Sequence, residues 1–248
     1  MKRHWLVALA ALATVPAIAS AQMRGVDEGW GPKLRATPFL GWSPGFESAG
    51  NLAVSTGGTN PIQGAEYSFD YAPGPITGVN LEARAHGRFS AVGMLAWSSR
   101  GRTTSRDDDG FLFEEPGSDF WIARVGGLMR FREDSDLQLR RLNAAVFAGP
   151  AFLREVPETS IFSSSAFDSA RNHWGVSFGA EGELPFANKM FALHAAFEDI
   201  VIFWDETSLQ QRMDGSIRAS FGDLAAAEVD ADHSHMFVLR VGLSVRFR

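Results

Sequence analysis

From Arg240 to Phe247 apolar and polar residues alternate without a break. Val241, Leu243, Val245 and Phe247 fall on one side, and Arg240, Gly242, Ser244 and Arg246 on the other. Successive side chains of a strand point to opposite faces, so this period of two predicts a strand with one apolar and one charged face. A soluble sandwich or barrel turns its apolar face inward. A membrane barrel turns it outward to lipid and points the charged face into the lumen. The remaining chain decides between them.

The same alternation recurs along the sequence. Val79, Leu81, Ala83 and Ala85 oppose Asn80, Glu82, Arg84 and His86; Trp121, Ala123, Val125, Met129 and Phe131 oppose Arg124, Gly126, Arg130 and Arg132. Trp174, Val176, Phe178 and Ala180 oppose His173, Ser177, Glu181 and Glu183, and Phe191, Leu193, Ala195 and Phe197 oppose Ala192, His194, Ala196 and Glu198. Weaker versions span 34–42, 88–99 and 138–152; in the last two the would-be interior also carries Val92, Met94 and Phe147. With 233–247 this gives eight candidate strands. Short connections at Gly87-Arg88, at Glu133 to Asp136 and at Pro185 to Asn188 alternate with long ones near 43–77, 100–119, 153–171 and 204–232. An even strand number with short turns on one side and long loops on the other is the plan of an all-β, eight-stranded antiparallel transmembrane β-barrel. A further alternating pair, Asn51 to Ser55 and Glu66 to Tyr71, would raise the count to ten.

The first residues agree with export. Lys2, Arg3 and His4 precede an apolar run from Trp5 to about Ile18 and then Ala19-Ser20-Ala21, the layout of a signal peptide over residues 1–21. The barrel domain is then 22–248, that is 248 − 21 = 227 residues, and loss of Lys2 and Arg3 takes the formal charge from −6 to −8. With no cysteine, neither disulfides nor a lipid-anchoring cysteine is expected. An acidic chain with no clustered basic residues argues against nucleic acid as a partner.

Aromatic residues bracket the strands. Trp42, Trp97, Trp121, Trp174 and Trp204 stand at strand ends beside long loops, and Phe89, Phe131, Phe191 and Phe247 at the opposite ends. Amphipathic rings settle at membrane interfaces, so two girdles are expected. Ten steps from Phe237 to Phe247, at about 3.3 Å each and about 40° of tilt, give roughly 25 Å of height, the thickness of an outer-membrane apolar band.

Arg240-x-Gly242-x-x-Val245-x-Phe247 resembles the C-terminal assembly signal of bacterial outer-membrane β-barrel proteins, with the departure that Arg248 follows the aromatic residue. The chain as a whole resembles the small eight-stranded families, namely the OmpA-like transmembrane domain and the OmpX/Ail-like and OmpW-like barrels. The resemblance implies recognition by the barrel assembly machinery, residence in the outer membrane, and contact with its lipids and lipopolysaccharide.

In this arrangement Arg35, Glu82, Arg84, Arg124, Arg130, Arg141, Glu181, Glu183, His194, Glu198, Arg240 and Arg246 point inward. Buried charges must pair or be hydrated, so they are expected to close the lumen as Arg/Glu pairs; a narrow path for ions or small solutes is the alternative. The long loops are acidic, with Asp107-Asp108-Asp109 in one and Asp205, Glu206, Asp214, Asp223, Glu228, Asp230 and Asp232 in another, which suits a solvated binding surface. The Asp run lacks the spacing and distal Glu of a calcium loop. In Asp232-His233-Ser234-His235 a metal pair or an outer-membrane lipid hydrolase is conceivable, yet Ser234 projects to the face opposite the two histidines. The expectation is a structural or surface-interaction role, with no enzyme activity, cofactor or metal. A lipid-modifying hydrolase and a soluble lipocalin-like barrel remain as alternatives.

Overall fold

The computed structural model describes residues 34–55, 65–86, 88–106, 112–131, 143–157, 170–186, 190–205, 207, 210–211, 226–230 and 233–247. Eight antiparallel strands form the wall: β1 (Leu34–Ser43), β4 (Gly74–His86), β5 (Phe89–Arg106), β6 (Leu112–Arg130), β7 (Asn143–Pro157), β8 (Arg171–Phe186), β9 (Phe191–Phe203) and β11 (His233–Phe247). Each pairs with the next, and the ring closes where β1 meets β11, from Leu34 opposite Phe247 to Trp42 opposite Leu239. Closure leaves no free sheet edge inside the bilayer, where an unpaired peptide group has no water to bond.

The hairpin expected from alternation exists as β2 (Phe46–Ser55) and β3 (Ala65–Tyr71), but it does not widen the wall to ten strands. Beyond its hairpin partner β2, β3 pairs with the far end of β5, Arg102 to Arg106, and β2 carries β10 (Ala226–Asp230) on its other side. The reason is length. β5 and β6 run 18 and 19 residues, and roughly 10 suffice to cross, so their distal ends stand beyond the bilayer and accept new partners there. Residues 43–77 and 100–119 are thus partly strand rather than loop. At the opposite rim β8 continues to Phe186, which pairs with Phe191, so the short turn begins after the expected Pro185.

The faces settle the question raised by the alternation. Leu40, Val125, Trp174, Leu193, Leu239 and Val241 are more than half exposed on the outside. The inside carries Arg124, Arg240, Glu183 and Glu198 at 2% exposure or less. A soluble lipocalin-like barrel is the inverse of this, and is excluded. Between β6 and β7, Gly126 and Gly149 leave no room for a side chain: a Cβ on either would strike the other strand's backbone, at the carbonyls of Ala148 and Val125. Their register runs from Arg124 opposite Ala151 to Gly127 opposite Ala148, passing over Pro150, which has no N–H to give the ladder.

Candidate functional site

The barrel interior is layered. Nearest the short turns, Arg35 pairs with Glu82 at 3.0 Å and with Glu183, Arg130 reaches Glu82 at 2.5 Å and Glu183 at 3.6 Å, and Arg246 holds Glu183 at 3.1 Å. Ser244 donates to Glu183 at 3.0 Å. These groups come from β1, β4, β6, β8 and β11, so the layer ties opposite walls together. Arg84 lies half-buried at the same end.

One layer further in, Glu198 of β9 receives Arg124 at 3.3 Å, Arg240 at 2.9 Å and the Ser177 hydroxyl. Arg124 also donates to Asn80 at 3.1 Å, and its guanidinium lies 4.2 Å from the Phe147 ring centroid. Arg240 stands over Phe39 and Phe147 at 5.2 and 5.3 Å. His194 meets Glu181 at 3.2 Å. Five arginines and four glutamates therefore share two connected layers, nearly balancing their charge in a space from which water is largely excluded.

Above them the interior turns apolar, well beyond the Val92, Met94 and Phe147 that the alternation had placed inside. Ile122, Leu153, Ile200, Ile202 and Met236 are wholly buried. Phe46, Tyr71 and Phe120 pack edge to face or tilted at 4.9–5.8 Å above this layer.

The outer end holds a third polar group, in which sequence reasoning placed His173 inside but missed Glu155 and Arg100. Glu155 accepts from Tyr71 at 2.6 Å and from Ser118 at 2.9 Å, and lies 3.4 Å from His173. Arg100 donates to Ser98 at 3.1 Å and to the Pro44 and Ala72 carbonyls. A signal existed. Glu155 continues the inward parity of Ala151 and Leu153, and Arg100 that of Ala96 and Ser98.

Of the interfacial aromatics, Trp42, Trp121, Trp174, Phe89 and Phe131 are exposed on the outer surface, while Trp97, Phe191 and Phe247 are half-buried. Trp204 is a correction. It is 9% exposed, donates from Nε1 to Ser234 Oγ at 2.8 Å, and meets the His173 ring edge-on at 4.5 Å. It keeps the inward parity of Ile200 and Ile202, and Phe203 takes the outward place. The same contact fixes Ser234 inside, whereas His233 and His235 are exposed outside, so these residues form no nucleophile and base pair. Of the assembly-signal residues, Arg240 lies in the inner charge layer, and Gly242 sits where a Cβ would strike the Pro38 carbonyl. Val245 and Phe247 are half-buried. Residues 1–21, Arg141, the Glu133 to Asp136 turn, the Asp107 to Asp109 run and 212–225 lie outside the described residues.

By sequence, no protein-family model matches the chain and no curated protein matches it significantly. By structure, the chain is similar to the outer membrane protein OprG from Pseudomonas aeruginosa, with a TM-score of 0.60 at 9% identity, over 88% of this chain and 97% of that one. The chain has the fold of a small outer-membrane β-barrel. The outer membrane protein AlkL, solved in lipid bilayers, matches at a TM-score of 0.48 and 10% identity, over 92% of this chain and 96% of that one. Ail of Yersinia pestis matches at 0.38 and 14%, over 86% and 99%. An exposed apolar band around a closed barrel needs a bilayer to cover it, the setting of the outer-membrane barrels whose fold this chain shares.

Proposed function

We propose that this barrel is a closed one, acting at the cell surface through its extracellular end rather than by conduction or catalysis. The observation that carries the reading is the interior: two layers of paired charges, then side chains that water does not reach. An eight-stranded barrel leaves room for little more than its own side chains, and the buried charged and apolar layers support a closed interior. The distal ends of β5 and β6 with β2, β3 and β10 give the extracellular side a sheet of its own, a broader platform than bare loops would offer. Rigid strands that display variable segments are a common way to present binding surfaces.

The reading is tested by reconstituting the refolded chain into planar bilayers and recording single-channel currents in molar salt. The expected result is no conductance above that of lipid alone. Discrete openings in the wild-type protein would replace the closed barrel with the narrow-channel reading.

A further inference from the structure

At the outer end of β11, His233 and His235 share the lipid-facing side, their ring centroids 5.5 Å apart and their planes at 68°. A metal ion about 2.0–2.1 Å from a nitrogen of each ring would hold two centroids roughly 4.5–6.4 Å apart, from a right-angled to a linear arrangement. The observed spacing falls within that range.

The second observation is Asp199. It belongs to the outward face of β9, between in-register partners Phe178 and Phe237, and is only 5% exposed although those neighbours are 46% and 40% exposed. Its Oδ2 lies 2.8 Å from His235 Nδ1, and its Oδ1 has no hydrogen-bond partner. An ionisable side chain on the lipid face is costly and marks a functional site. Within the described residues, His235 is the group this carboxylate serves. With His235 Nδ1 held against this carboxylate, Nε2 is the ring nitrogen left for a metal ion. A metal-binding imidazole almost always has such a carboxylate behind it, which fixes its tautomer and orientation.

We propose that His233 and His235 bind a borderline divalent transition-metal ion such as copper or zinc on the outer surface of the barrel, with Asp199 as the positioning residue. Imidazole pairs favour these ions over magnesium or calcium, which take oxygen ligands. Among the described residues no three metal-ligating side chains gather, so water or lipid phosphate completes the coordination. The location allows it. His233 pairs with Phe203, and Phe203 with Trp174, the exposed ring of the outer girdle, where water and headgroups meet the hydrocarbon.

The test is a copper(II) titration of the untagged, refolded mature chain in detergent, followed by calorimetry and electron paramagnetic resonance. The expected result is one ion per chain with nitrogen hyperfine structure from two imidazoles. His233→Asn and His235→Asn should each abolish it. Asp199→Asn should keep the stoichiometry and weaken binding by about 10- to 100-fold, with partial rescue by Asp199→Glu. Heat-dependent gel mobility controls for folding in every variant. Absence of binding to the wild type, or binding that survives either histidine substitution, overturns the site. Wild-type affinity in Asp199→Asn overturns the positioning role.

Discussion

Glu198 shows what a single buried side chain can hold together. Its carboxylate serves Arg124, Arg240 and Ser177; beyond it Arg124 reaches Asn80, Arg240 reaches the Met94 sulfur, and both guanidiniums lie against aromatic rings. Removing one partner of a buried pair leaves an uncompensated charge, which costs about 3–5 kcal/mol, whereas replacing the whole set with apolar residues is often neutral. Glu198→Leu is therefore expected to lower stability by about that amount in urea unfolding from lipid vesicles. The triple variant Arg124→Met, Glu198→Met, Arg240→Met should recover most of it. Parity alone placed Glu198, Arg124 and Arg240 inside, so the members of this layer were legible in the sequence. Their partners were not, because pairing depends on the register between strands distant along the chain. Asp199 shows the same limit: its outward parity can be read directly, but its contact with His235 needs β9 and β11 side by side.

At the scale of the strand, one register step exchanges lipid for lumen. Val241 is 64% exposed on the outer face of β11, and its neighbours Arg240 and Gly242 face inward. Val241→Arg, which carries charge toward the membrane midplane, is expected to destabilise the barrel by about 2–4 kcal/mol. Unfolding titrations in vesicles check this, with a smaller loss expected as the same charge is moved toward either rim. Strand identity was legible wherever alternation was clean, as in β8, β9 and β11. It was least legible where strands outgrow the membrane. A strand beyond the bilayer has no lipid face to keep apolar, so a polar run such as Thr103-Thr104-Ser105 carries no alternation and the segment reads as loop. Trp204 was misread for a related reason. Its place at a strand end suggested the girdle, although its even number continues the inward set of β9.

For the whole molecule, inversion of the faces is the central claim: apolar side chains outside, a charged and then apolar filling inside, and a wall closed between β1 and β11. The apolar upper filling escaped the sequence reading because Ile122, Leu153, Ile200 and Met236 come from four different strands and gather only when the wall curves. The added sheet at the long-loop end escaped it because β10 finds β2 across most of the chain. The most direct measurement is the electrophoretic mobility of the refolded mature chain in SDS, with and without boiling, after folding in detergent micelles and, in parallel, in plain buffer. The fold predicts a mobility shift on boiling for the micelle sample and no folded species in buffer. Cooperative folding in buffer without detergent, with no shift, would contradict it and turn the faces inside out.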